Sequence, residues 1–322
     1  MSVSVRTLAL FFTGACCLAA VPVRSLAAEL KTETVAAYER HLRTREAEAA
    51  ARLRPERNFL WIDDSPERKK RVRRGDVVVE ASSGDGQISV PGGLIHDWAG
   101  AIFIPGATID IVFAVLHDYD NYKAYYKPTV VDSRRLTRIG NQYTFRLRLK
   151  KKAIVTAVVE GDYLSRYSSA GPGRWYGRER STRLVEIENG GTPEETALPP
   201  GKGHGFLWRL DAFTRFQEAD GGVYVEVEAL VLSRDIPSYV AWFVQPIVRR
   251  LSRGSMETSL EETRNAALKK ERKGATAGSP FPIQTQADKD FAPWAPKEGS
   301  LTAYDFLGTS QPLAASNRNR SI

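Results

Sequence analysis

VYVEVEALVLSRDIP, residues 223–237, alternates by parity. Val223, Val225, Val227, Ala229 and Val231 share one side of a strand; Tyr224, Glu226, Glu228, Leu230 and Leu232 share the other. One face is small and apolar, so something apolar has to lie against it. After Pro237 the period changes. Val240, Phe243, Val244, Ile247, Val248 and Leu251 recur at helical spacing, with Arg249, Arg250 and Arg253 opposite. Pro246 marks an expected kink and Gly254 an expected interruption.

Upstream, Asp220-Gly221 is the preferred pair for a type I′ hairpin turn. Pairing Ala219 with Gly222 sets Phe216 opposite Val225, Ala212 opposite Ala229, Thr214 opposite Val227 and Arg215 opposite Glu226. Phe206, Trp208, Leu210, Ala212 and Phe216 then join the valines in an apolar wall. Glu226 is expected to make an exposed cross-strand ion pair with Arg215, worth a few tenths of a kcal/mol to ~1 kcal/mol.

Further back, NQYTFRLRLKK places Tyr143, Phe145, Leu147 and Leu149 on one side of a strand, and Val159, Tyr163 and Tyr167 share a parity in the next. RWYGRERSTRLVEIE (174–188) is strand-like, and its parity is open: either Arg178 and Arg180 or Glu179 and Arg183 face the helix side. A buried Arg needs a carboxylate or an anionic ligand. Thr108 is an expected helix cap for Ile109, Val112, Phe113 and Leu116, and a second short helix follows through NYKAYY. Residues 32–53 form an alanine- and charge-rich helix with a narrow apolar stripe of Val35, Tyr38 and Leu42, and Phe59 to Ile62 form a hydrophobic plug.

The N-terminus reads as a secretory signal, LALFFTGACCLAAV, with cleavage after Ala27 or Ala28; an uncleaved membrane anchor is the competing reading. Cys16 and Cys17 lie within it, so a processed chain has no thiol for a disulfide, a thiolate metal site or nucleophilic catalysis. The net charge of +8 is concentrated partly in ERKKRVRRGD (67–76). In an exported protein this run suits an anionic membrane surface, not nucleic acid, and a solvated helix face is the plainer account. The segments are a signal peptide (1–28), a basic helical arm (29–75), a main domain (76–273) and a low-complexity, disordered tail (274–322).

No Gly-x-Ser-x-Gly elbow, P-loop, dinucleotide fingerprint or His-Glu-x-x-His stretch occurs. His117, Asp118 and Asp120 have metal-ligand chemistry, but a helix terminus accounts for them; neither a metal nor a cofactor is expected.

The segment IPGATIDIVFAVLHDYDNYKAYYKPTVVDSRRL, and the closing VEVEALVLSRDIPSYVAWFVQPIVRRLSRGSMETSLEETR, resemble the START-like superfamily of polyketide cyclase and lipid-transfer proteins, in particular uncharacterised exported bacterial members. The resemblance covers roughly residues 76–273 and implies an α+β helix-grip fold, a curved antiparallel sheet wrapped around a long C-terminal helix. It implies a tunnel for a hydrophobic small molecule or lipid. On the sheet side its expected lining is Tyr143, Phe145, Phe216, Val225 and Val227; Trp242, Phe243 and Ile247 line the helix side. Arg178 and Arg180, with Tyr163, Tyr167 and Trp208, would orient the ligand's polar end. The alternatives are a cyclase or aromatase in which Arg178, Glu179 or Tyr163 handles protons or an oxyanion, and a packed, non-catalytic scaffold.

Overall fold

The hairpin turn fixes the register of the centre of the sheet. Asp220 and Gly221 both have positive φ, 54° and 77°, as a type I′ turn requires. Strand β9 (Arg209–Ala219) pairs with β10 (Gly222–Arg234) as expected: Phe216 faces Val225, Thr214 faces Val227, Ala212 faces Ala229 and Arg215 faces Glu226. The computed structural model describes residues 28–152 and 156–277; nearly all of the expected signal peptide (1–28) and most of the expected tail (274–322) lie outside them.

Around this hairpin the sheet builds outward. On one side lie β3 (Gly93–Pro105) and β1 (Val78–Ala81), with β2 (Gln87–Val90) also paired to β3. On the other lie β7 (Arg174–Glu188), β6 (Thr156–Ser169), β5 (Gln142–Lys152) and β4 (Val130–Ile139), with the two-residue β8 (Thr196–Ala197) beside β7. All these pairings are antiparallel. Between β3 and β4 the chain forms α3 (Ile109–Leu116), started by Thr108 accepting from the Ile111 N–H, and the short α4 (Tyr122–Tyr125). Helix α5 (Ser238–Ala277) closes the domain; it contains Pro246 and continues through Gly254 without the interruption expected there.

The two faces of the sheet are covered differently. Inward, Met256 and Leu260 of α5 sit on Gly100 of β3: a methyl there would come within 2.7 Å of Leu260 Cδ1 and Met256 Sδ. Phe113 and Tyr119 pack in the same inner core with Phe145, Phe216 and Val225. Outward, the N-terminal arm forms a second layer over β1, β3, β9 and β10. Helix α1 (Thr32–Ala51) buries Tyr38, Leu42 and Ala49 against Ile95, Phe213, Leu230 and Leu232. Phe59, Leu60 and Ile62, with Val72 of α2 (Pro66–Arg73), cover Ala101, Phe103 and Tyr224. Each fully buried Leu or Ile in these layers is worth about 1.5–3 kcal/mol.

This layer corrects the expected exposure of Glu226. The carboxylate is 1% exposed and Arg215 0%. Glu226 accepts hydrogen bonds from the Trp61 and Ile62 backbone N–H groups at 2.8 Å each, while Arg215 binds chiefly to Glu228, which also receives Arg45 of α1 at 2.6 Å. The basic run is largely engaged within the fold: Arg68 meets Glu80, Lys69 meets Asp63, Arg71 and Arg74 meet Asp76, and Arg73 meets Asp220.

Candidate functional site

Side chains directly opposite across a ladder share a face, so the registers define the inner surface row by row. One row crosses the sheet as Tyr143, Ser165, Glu179, Ala212, Ala229 and Trp98. The next is Tyr167, Gly177, Thr214, Val227 and Gly100. The first row has bulky side chains at both ends, Tyr143 and Trp98; the second has Tyr167 at one end and at the other Gly100, covered by Met256 and Leu260 of α5; both carry small side chains over β9 and β10. The side-chain sizes leave a hollow over the middle of the sheet, floored by Ala212, Thr214, Val227 and Ala229 with one carboxyl group, Glu179; Gly177 is buried, its side-chain space taken by Thr214 and Tyr167.

Exposure confirms that solvent reaches this floor from inside. Glu179, Thr214, Val227, Ala229 and Val231 are only half-buried. Their outward neighbours Phe213, Arg215, Glu226, Glu228 and Leu230 are fully buried beneath the arm. In an ordinary two-layer sheet the inner face is the drier one; here the order is reversed at Thr214 and from Val227 to Val231, while Phe216, Val223 and Val225 stay buried inside.

The aromatic edge of the hollow is solid. Phe113 packs edge-on to Trp175 at 5.1 Å and to Phe216 at 5.2 Å between ring centres. Tyr119 stacks on Phe145 at 4.2 Å, Phe145 on Tyr163 at 5.3 Å, and His117 on Tyr143 at 4.5 Å. The opposite side is held by α5, where Thr263 meets the Tyr126 hydroxyl at 3.0 Å.

Glu179 is the distinctive group. Its Oε2 accepts from Ser165 Oγ at 2.8 Å, and Oε1 has no hydrogen bond among the described residues. Burial raises its pKa above the ordinary carboxylate value, the Ser165 hydroxyl and Arg178 oppose this, and Asp211 adds to it. Arg178 acts through the sheet: its guanidinium lies on the outer side, bound to Glu46 of α1 at 2.8 Å and Asp211 at 2.7 Å. Buried tyrosine hydroxyls flank the carboxyl group, and burial pushes those of Tyr163 and Tyr167 well above their usual range.

Of the residues expected from sequence to line a cavity, Tyr143, Phe145, Tyr163, Tyr167, Phe216, Val225 and Val227 are on the inner face. Val227 borders the hollow; most of the others are locked in the ring packing around it. Arg178 and Arg180 are corrected. The register of β7 with β9 puts them opposite Phe213 and Asp211, facing outward, so they form an internal ion-pair network with the arm and not a ligand clamp. Trp208 is also on the outer side, with Ile95 and Leu232, because it precedes the first residue of β9 and escapes its alternation. Trp242 and Phe243 point into water, 80% and 55% exposed, and Ile247 is half-buried. Close engagement of α5 begins later, where Ser252 reaches His96 Nδ1 at 3.2 Å.

Glu179 was singled out in sequence only as a proton-handling alternative. The small face of Ala212, Thr214, Val227 and Ala229 is legible in the sequence; what it does not give is that Gly177 and Glu179 continue that face into β7, which rests on the pairing of β7 with β9. His117, Asp118 and Asp120 do not converge. His117 Nδ1 meets the Tyr143 hydroxyl at 3.2 Å, Asp118 pairs with Lys270, and Asp120 accepts from the Arg135 N–H. Among the described residues no cluster of three potential metal ligands forms.

Comparison with solved structures finds likenesses of fold. A STAR-related lipid transfer protein from Xanthomonas axonopodis aligns at 17% identity over 60% of this chain and 98% of its own, with a TM-score of 0.40. Human STARD10 aligns at 11% identity over 63% of this chain and 85% of its own, TM-score 0.39. The Zhui aromatase/cyclase from Streptomyces sp. R1128 aligns at 14% identity over 58% and 99%, TM-score 0.35. The sequence matches no protein-family model and no curated protein. The strand order, the helices between β3 and β4, and the long closing helix give this chain an α+β helix-grip fold, an antiparallel sheet closed by a long C-terminal helix.

Proposed function

We propose that the protein binds a hydrophobic small molecule or lipid in the hollow between the sheet and α5, and that it does so outside the cytoplasm after removal of residues 1–28. The observation that carries this reading is the patch of small side chains over β9 and β10, reached by solvent from inside although the sheet's other face is sealed there. Apolar surface left accessible in a concavity with one polar group is the usual make-up of a small-molecule site. A scaffold that needed only stability would place larger side chains at Ala212 and Ala229, since filling space contributes stability.

Native mass spectrometry of the purified protein, followed by solvent extraction, tests this reading. A bound apolar species is expected. Ala229→Trp, which fills the hollow, should abolish its retention while leaving the circular dichroism spectrum and cooperative melting intact. Equal retention by Ala229→Trp would place the ligand elsewhere and overturn the assignment.

A further inference from the structure

The strands at the middle of the sheet carry an inward carboxyl group and no inward Lys or Arg; the inner-face cations Arg135 and Arg138 belong to the edge strand β4, opposite Phe145 and Tyr143. The arginines of β6, β7, β9 and β10 are Arg166, Arg174, Arg178, Arg180, Arg183, Arg209, Arg215 and Arg234. The registers place every one of them on the outward side, and β3 has neither Lys nor Arg. On α5, Arg249 pairs with Asp85, Arg253 with Glu257, Arg264 with Glu261 and Lys270 with Asp118.

Two other inward glutamates are held by backbone donors away from the middle of the sheet. Glu186 accepts from the His204 and Phe206 N–H groups at 2.6 and 2.7 Å, and Glu218 accepts from the Ile109 N–H at 2.9 Å. Glu179 faces inward from the middle of the sheet, whereas Glu218 lies exposed at the strand end. Glu179 Oε1 receives no hydrogen bond among the described residues and is open to solvent, so a ligand's donor can take the place of water there. A second anion beside it would be penalised by desolvation and by repulsion at low dielectric.

We infer that Glu179 selects the polar end of the ligand: the hollow takes apolar molecules whose polar group donates a hydrogen bond, an alcohol or a protonated amine, and rejects the corresponding carboxylates. This rests on the reading of the hollow as a ligand site. It differs from the clamp expected from the sequence, which would have favoured an anionic head group.

The test uses matched probes with purified protein at neutral pH: decanol, decylamine and decanoate below their aggregation concentrations, with 2-naphthylmethanol, 2-naphthylmethylamine and 2-naphthoate as a second set, measured by calorimetry. The alcohol and amine should bind at least about tenfold more tightly than the carboxylate in each set. Glu179→Gln should bring the amine and the carboxylate to within about threefold of each other. Wild-type ranking alone decides the matter even if that variant folds poorly. A carboxylate binding as well as its alcohol, or a ranking unchanged in Glu179→Gln, overturns the selection and leaves the hollow intact as a site. Failure of all six probes overturns the hollow reading and this inference with it.

Discussion

Arg215 and Glu228, two residues on adjacent strands, form an ion pair sealed between the sheet and the N-terminal arm, with Arg215 Nη1 2.6 Å from the carboxylate and Arg45 of α1 on its other oxygen at 2.6 Å. Their side chains are 0% and 5% exposed. Neither charge has water to fall back on. The arm therefore completes the solvation of charges that the sheet could not otherwise bury.

Breaking this arrangement from one side should be costly. Glu228→Ala leaves two guanidinium groups facing each other, and a loss of about 3–5 kcal/mol is expected from urea unfolding. The double variant Arg215→Met, Glu228→Leu, which removes both charges of the cross-strand pair, should be markedly less destabilised than Glu228→Ala. If the double variant is the less stable of the two, the charges are contributing net stability and this account of the pair is wrong.

Acid sensitivity follows from His96. It is buried between Ser233 at 3.0 Å and Ser252 at 3.2 Å, and burial holds its pKa down to about 4 from an ordinary 6.5. The folded value is the lower one, so the unfolded chain takes up the proton first as pH falls. Stability is then full above pH 6.5 and declines toward pH 4. Between pH 7 and pH 5 this one group removes about 2 kcal/mol. Glu226, pushed up to about 7 by burial against the pull of Arg215, works in the opposite direction between its ordinary 4.5 and 7. A difference measurement separates them: His96→Asn should lose about 2 kcal/mol less than wild type on going from pH 7 to pH 5. An identical pH dependence in the two proteins would remove His96 from the explanation.

Gly100 marks the closest approach of α5 to the sheet. Gly100→Ala drives a methyl into Leu260 and Met256, and an overpacking cost of about 1–3 kcal/mol is expected. Adding Met256→Ala should restore part of the lost melting temperature, because it removes one of the two obstructing groups. Absence of any rescue would mean that the strand, and not the helix, absorbs the strain.

Trp242 and Phe243 should be energetically silent within the domain. Replacing both by Ser is expected to change stability by no more than about 0.5 kcal/mol, whereas Leu260→Ala on the same helix should cost about 2–5 kcal/mol. Comparable losses at both sites would show that the first turns of α5 pack in solution.

The sheet was readable because its signals are local. The Asp220-Gly221 turn dictates which residues of β9 and β10 meet, and alternation then sorts them into faces. The plug of Phe59 to Ile62 and the stripe through Tyr38 and Leu42 were legible and do cover the sheet, but the full docking face of α1 was not, because much of it is polar. Thr34, Tyr38, His41, Leu42, Arg45 and Ala49 run along one side of α1, and its polar members are matched by groups far along the chain: His41 by Asp97 at 2.8 Å and Arg45 by Glu228. A stripe of that kind reads as solvated until its partners are known. The facing of Arg178 and Glu179 was undetermined for a related reason. It depends on pairing with β9, and the irregularity of β6 against β7 after Asp162 breaks any simple count from one end of the strand.

The clasp between arm and sheet also shapes how the polypeptide reaches its final state. Tyr38 meets Asp211 across 173 residues of sequence, and Arg45 meets Glu228 across 183. Helix α1 leaves the ribosome early and its binding surface leaves nearly last, so the segment travels through most of synthesis without its mate. Contacts this distant slow the search for the native arrangement and prolong the life of half-made species. A holding chaperone that shields the back of the hairpin until the arm returns would raise the yield of this protein far more than one acting on the strands of the β4–β7 meander.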